Sequence, residues 1–286
     1  MALSTAGFAA VALALCGCTR RQVPERVEWS VMGTVAAVQA KESEDSPPGA
    51  HTSVAEALSD MSYEVRGVFT EVESLLNAHS QASEIHRLAA LPDDQVVKAC
   101  DKKMRPCYET AFMLKEATGG AFNPRWKGAD TLDLGAIAKG FAVDLAAECV
   151  DVQKGISALV DLGGNVKAVR GRWRTGVKNP LGAGVAATVD LVDGEALATS
   201  AKYFRGEHIH DGRTGGPATN GVASVTVLCG SAMTADGLST ALFVLGPDEG
   251  RAFLGRFAGV ARQPLAVLWL MADGSRVALD PDARFK

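Results

Sequence analysis

Residues Leu132 to Asp144 read LDLGAIAKGFAVD, an apolar strand end, a glycine turn and the start of a helix, and this stretch constrains the rest of the chain most. Ile137, Phe141 and Leu145 recur every four residues, the spacing of one buried helix stripe, and Gly135 lets the chain turn sharply into it. The first-turn amides of the helix lack intrachain partners and carry partial positive charge, so the stretch predicts an anion site to which Lys139 adds a full charge. A glycine turn before a buried helix also occurs without any ligand, so on this stretch alone both readings stand.

A second stretch has complementary chemistry. Ser224 to Cys229 (SVTVLC) is a short β-branched strand, and Ala232 to Gly246 (AMTADGLSTALFVLG) is a helix that stops at Gly246-Pro247. Asp236 and Thr240 are four apart on what reads as a surface-facing side, with Ser239 beside them. A carboxylate and hydroxyls are hard oxygen donors of the kind that hold Mg2+ beside a phosphate. The alternative is a solvated helix face.

The N-terminus carries an apolar run from about Gly7 to Leu15, too short to span a bilayer and suited to a signal-peptide core. Leu15-Cys16-Gly17-Cys18 has the form of a bacterial lipoprotein cleavage box, which predicts a leader over 1–17, lipidation of Cys18 and a domain over 18–286. The n-region without Lys or Arg, and Cys16, leave plain secretion as the alternative. The expected location is the periplasmic face of a bacterial membrane, held by acyl chains, or else the soluble periplasm.

With 47% hydrophobic residues the chain has ample core for one large domain or two closely packed ones, and a net charge of −4 gives no reason to expect nucleic acid. Arg170, Arg172 and Arg174 read as the outward face of a hairpin strand. Lys41 to Gly49 reads as an exposed loop between a first strand, Val31 to Val38, and a helix from Ser53 to Leu76. Of the six cysteines, Cys100 and Cys107 are a possible pair that spacing does not establish, whereas Cys149 and Cys229 suit buried thiols. His208 and His210 are the only histidines close together, and no zinc pattern is present.

Five ordered segments together resemble the ApbE family, the FAD:protein FMN transferases. The family signatures look like DLGGIAKGYAVD, an ALVNLGGN-type strand and turn, ATSG-x-Y, HIIDPRTG, and SVTV followed by AD-x-x-x-T. The corresponding segments here are Asp133 to Asp144, Ala158 to Val166, Ala198 to Phe204, His208 to Gly215 (HIHDGRTG) and the strand and helix around Asp236. The resemblance runs from about Val31 to Gly246. It implies an α+β fold, ApbE-like and T-fold-related, with mixed sheets and packed helices; the alternation of strands and helices alone would also have allowed α/β.

The resemblance implies a set of roles. Met32-Gly33 falls in the family's MGT segment beside the flavin nucleotide, and His79 at a position near the isoalloxazine that is usually aromatic. Ala121-Phe122-Asn123 falls in a G-x-FDP turn contacting the cofactor, with Asn123 replacing the acid, and Asp133, Lys139 and His210 complete the cofactor contacts. Mg2+ would be held by Asp236, Thr240, Ser239 and the Ala136 carbonyl, with Asp236 catalytic through the metal and His208 as general base. FAD is the implied substrate, and the implied partner is a periplasmic or membrane-bound acceptor flavoprotein of an electron-transfer system.

The chain departs from the family pattern at Ala201 and Gly212, and above all between Asn123 and Leu132. There Arg125-Trp126-Lys127-Gly128 replaces a segment of a few tens of residues that helps cover the site. A flavin-binding lipoprotein without transfer, or a hydrolase splitting FAD, are therefore the alternative functions.

Overall fold

The computed structural model describes residues 23–44, 46, 53–150, 155–202, 209–257 and 266–286. The leader over 1–17, the lipidation expected at Cys18 and the base expected at His208 lie outside these residues.

β1 (Glu25–Val31) and β2 (Thr34–Glu42) pair as a hairpin in which Val31 faces Thr34. The stretch expected to be one strand, Val31 to Val38, is therefore broken at Met32-Gly33. Both residues have positive φ, 50° and 65°, as the two-residue turn that matches strand twist requires. With β3 (Ile156–Leu162), β4 (Asn165–Val169), β7 (Ala196–Ala201), β8 (Val222–Cys229), β9 (Ala266–Met271) and β10 (Arg276–Leu279) they form an eight-stranded sheet in the order β1-β2-β3-β4-β7-β8-β9-β10. Every described pairing is antiparallel, so the fold is α+β with an antiparallel rather than a mixed sheet.

The central strands are covered on both faces, which explains their unbroken apolar sequences. In β8, Val225 and Val227 point to one core and Leu228 to the other; in β9, Val267 and Trp269 oppose Ala266, Leu268 and Leu270. The first face carries the helices α1 (Val54–Leu76), α4 (Arg105–Ala117), α5 (Ala138–Glu148) and α6 (Ala232–Arg256). The second is closed by a hairpin of β5 (Trp173–Lys178) and β6 (Val185–Leu191), whose Trp173, Val177, Val189 and Leu191 pack with Leu159, Ala168 and Leu268. Arg170, with φ 60°, and Arg172 lie in the turn before β5, so Arg174 alone of the three arginines is on a strand, where it forks onto Asp190 at 2.7 and 3.1 Å.

Helix boundaries follow local chemistry. Ser53 and Glu56 form a reciprocal capping box that starts α1. α6 is interrupted at Gly246, whose φ of 72° a side chain would resist, and restarts at Pro247. The carbonyls freed there are taken by Asn220 Nδ2, which donates to Phe243 O at 2.7 Å and Val244 O at 2.8 Å. Short helices α2 (Glu84–Leu88) and α3 (Asp93–Ala99) join α1 to α4. Cys100, Cys107, Cys149 and Cys229 are all unpaired thiols, so the pair considered for Cys100 and Cys107 is not formed.

Candidate active site

The site is built where α5 meets α6. A Cβ added to Gly140 would fall 2.2 Å from Ala232 O and 2.7 Å from Asp236 Cβ, so glycine is what brings the two helices to backbone contact. The approach carries Asp236 against the first turn of α5, where its Oδ2 accepts the Gly140 amide at 2.9 Å and lies 3.9 Å from Lys139 Nζ. Asp236 is only 4% exposed. Its helix face is therefore an interhelical contact and not the surface-facing side that the Asp236/Thr240 spacing suggested.

The same contact narrows the expectation of an open helix start. α5 begins at Ala138, and two of its first-turn amides have partners: Ala138 N donates to Leu134 O at 2.8 Å and Gly140 N to Asp236. Asp236 thus sets a carboxylate at the positive end of the helix, which is favourable. Gly135 does not have positive φ; its tight neighbour is Asp133, whose Oδ1 accepts the Gly135 amide at 2.9 Å in a side-chain turn. The charge left to meet a phosphate is Lys139, whose Nζ donates to Gly135 O at 3.0 Å and is 28% exposed.

One turn further along α6 the hydroxyls form a chain whose direction is fixed by its end. Ser239 Oγ donates to Asp236 O at 2.9 Å. A hydroxyl has one proton, so Ser239 accepts from Ser200 Oγ at 2.8 Å, and Ser200 accepts from Thr240 Oγ1 at 3.0 Å. The Thr240 oxygen keeps its lone pairs, which suits a cation, whereas Ser239 is fully buried and its proton is committed inward. The hard oxygens left here with acceptor capacity are the Asp236 carboxylate and Thr240 Oγ1, and Ser200, bonded to both Ser239 and Thr240, aligns Thr240.

Asp133 closes the other side. Its Oδ2 receives Lys127 Nζ at 2.9 Å, and although burial works to raise the carboxyl's pKa, the Gly135 amide, Lys127 and the nearby His79 outweigh it and hold the group below the ordinary 3.8. His79 therefore lies within the field of this site. Ala121 and Phe122 are buried in the core, and this segment is tied to the other motif loop: Asn123 Nδ2 donates to Gly212 O at 3.1 Å and Gly212 N to Ala121 O at 3.1 Å. A proline at 212 would forfeit that second bond. Met32 and Gly33, at the β1–β2 turn, sit next to the Gly163-Gly164 turn, where Gly163 N donates to Val35 O at 2.9 Å.

Three features were not foreseen. The short connection is latched down: Arg125, 9% exposed, pairs with Asp93 at 2.6 Å and donates to the carbonyls of Ala89, Leu91, Ala129 and Thr131. Trp126 then stacks on His210, with ring centroids 3.9 Å apart and planes at 13°. At the far end of the α5–α6 contact, Asp144 receives Lys167 Nζ, Ser231 Oγ and the Ala232 and Met233 amides, all within 2.7–2.9 Å.

Residues 125–262 match the family model described as the ApbE family. FAD:protein FMN transferases of Treponema pallidum (38% identical over 151 residues) and Klebsiella pneumoniae (39% over 132) are each matched over 42% of their length, and over 45% and 43% of this chain. The chain thus spans less than half of these curated relatives in sequence. In structure the likeness is wider. The flavin transferase ApbE from Vibrio cholerae superposes with a TM-score of 0.68 at 23% identity, over 90% of this chain and 97% of that one. The flavinyl transferase ApbE of Pseudomonas stutzeri, in its apo form, gives 0.66 at 25% identity, over 90% and 94%.

Proposed function

From the match of residues 125–262 to the ApbE family model we propose that this chain belongs to that family and transfers FMN from FAD to a Thr or Ser hydroxyl of a partner protein, releasing AMP, with Mg2+ required. The observation that carries the reading is the α5–α6 contact, which gathers a buried carboxylate, a hydroxyl with free lone pairs and a partly exposed lysine within one turn of each other. Such a set can hold a diphosphate and a divalent cation together.

Asp236 and Thr240, together with the Ala136 carbonyl that the family resemblance adds and with Ser239 linked to Thr240 through Ser200, would hold Mg2+, which when bound neutralises charge developing on the diphosphate. Lys139 supplies a second positive charge from the helix start, and Asp133, its own charge met by Lys127, fixes the loop that leads into that helix. In the transfer the acceptor oxygen attacks the FMN phosphorus, the bond to the bridging oxygen breaks, and AMP leaves with that oxygen. The acceptor proton goes to His208, a role that rests on its place in HIHDGRTG. The acceptor is a flavoprotein of an electron-transfer system on the periplasmic side of a bacterial membrane, to whose surface lipidation of Cys18 would hold this chain.

Incubation with FAD, Mg2+ and a partner carrying a Thr acceptor tests the reading. In-gel flavin fluorescence and the FMN mass gain on the partner support it. FMN and AMP without labelled protein mean hydrolysis, and FAD recovered unchanged means binding alone. Calorimetric titration of FAD in Mg2+ and in EDTA tests the metal: equal affinity in both removes it from the account.

A further inference from the structure

The short connection that replaces a longer cover is joined to the rest of the site by a series of specific contacts. Arg125 anchors its start to the loop between α2 and α3 and to Thr131 at its own end. Trp126, next in the chain, lies flat on His210, and its backbone carbonyl packs so closely on Gly215 that a Cβ there would sit 3.3 Å away. Lys127 lies over the outer face of the same indole, 4.7 Å from the ring centroid, while ion-pairing with Asp133. The indole is thus held from both faces and from its backbone, and it holds His210 in turn.

His210 is fixed in a second way. Its Nδ1 lies 3.2 Å from Gly215 O, and a carbonyl only accepts, so Nδ1 carries the proton and Nε2 of the neutral ring is the acceptor nitrogen. Ring plane and tautomer are therefore both set by neighbours. An acceptor nitrogen presented in one orientation, on the loop that also contacts Ala121 and Asn123, suits a hydroxyl donor on a ligand lying between the two motif loops.

Resting on the flavin transferase reading, we infer that Trp126 is a positioning residue: it holds His210 so that Nε2 accepts a hydrogen bond from a sugar hydroxyl of the flavin dinucleotide. Such hydroxyls occur on the ribityl chain and on the ribose of the AMP half, and they share this chemistry. The residue acts through His210 and touches no reacting atom.

The test is a double-mutant cycle on FAD affinity, measured by calorimetry on the full chain in Mg2+. Trp126→Ala is expected to weaken binding roughly tenfold, the worth of one well-made hydrogen bond, and His210→Ala by a similar factor. The double variant is expected to be no weaker than His210→Ala alone, because Trp126 has nothing further to lose once His210 is gone. Trp126→Phe, which keeps a flat ring, is expected to restore most of the affinity. Titration with FMN and with ADP locates the hydroxyl, since the tenfold loss follows whichever half carries it.

Independent, multiplying losses in the cycle would overturn the inference, as would Trp126→Ala binding like the native protein. So would a loss that Phe does not rescue while thermal melting shows the variant folded. Native protein that binds FAD but labels no partner defeats the transferase reading and leaves the cycle decisive; native protein that does not bind FAD overturns both.

Discussion

Two carboxylates tie α5 to α6, and they are used differently. Asp144 is saturated, receiving an ammonium, a hydroxyl and two backbone amides at the start of α6. Asp236, about one turn along α6, receives one amide and faces an ammonium at 3.9 Å. A carboxylate with four donors has no capacity left for a ligand, whereas one with a single close donor keeps lone pairs to offer. The first is spent on the fold and the second keeps acceptor capacity, although both belong to the same helix pair.

The comparison is sharpened most by removing its functional half. Asp236→Ala is expected to lower transfer by at least about a hundredfold, as loss of one preorganised electrostatic group does, and to lose stability too, because it orphans a buried amide at about 1–3 kcal/mol. Asp236→Asn, which can still accept from Gly140 N, separates the two: transfer stays low while the melting temperature recovers. A fully active Asn variant would end the metal-ligand role. For the structural half, Asp144→Ala is expected to cost about 3–5 kcal/mol by leaving Lys167 with only the Gly230 carbonyl and the Ala232 and Met233 amides without their acceptor, measured by urea unfolding, with the Mg2+ dependence of FAD binding unchanged in the folded fraction. A loss under 1 kcal/mol would mean that the four bonds are not worth what their geometry implies.

Gly140→Ala attacks the contact itself. The added methyl meets backbone at Ala232, which cannot swing away, so a loss of about 1–3 kcal/mol is expected, together with weaker FAD affinity as Asp236 is pushed from the α5 start. The smallest effect belongs to Asp133. Its pKa in the folded chain lies below the ordinary 3.8, so it contributes stability above that value and loses it as pH falls through the depressed one. Stability profiles from pH 6 to pH 2 are expected to show a shallower acid-side fall for Asp133→Asn than for the native protein; parallel curves would remove the Lys127 and Gly135 bonds from the acid sensitivity.

What was legible in the sequence was local. The Ile137–Phe141 stripe, the start of α1 at Ser53 and the break at Gly246-Pro247 each depend on residues within a turn or two of each other, and all three are present. Met32-Gly33 misled because Met is an unusual occupant of a turn position with positive φ, so the hairpin read as one strand. Asp236 was found by its spacing, but its burial was not, since that depends on Gly140 at the other end of a long-range contact. Asp144 and Arg125 were missed for the same reason: their partners lie up to 89 residues distant, and many are backbone carbonyls or amides, which no side-chain pattern announces. The available signal was a charged residue inside an otherwise apolar helical stretch, Asp144 between Val143 and Leu145.

The exchange of carboxylates has a consequence for motion. α5 lends Asp144 to the first turn of α6, and α6 returns Asp236 to the first turn of α5, so neither helix can slide or unwind at its start without breaking a bond that holds the other. The two helices should open as one unit, with the Gly140 and Ala232 amides becoming exchangeable together and late. On the proposed function, whatever yields to admit a dinucleotide is then not the pair that bears Asp236 and Lys139 but the loops around them.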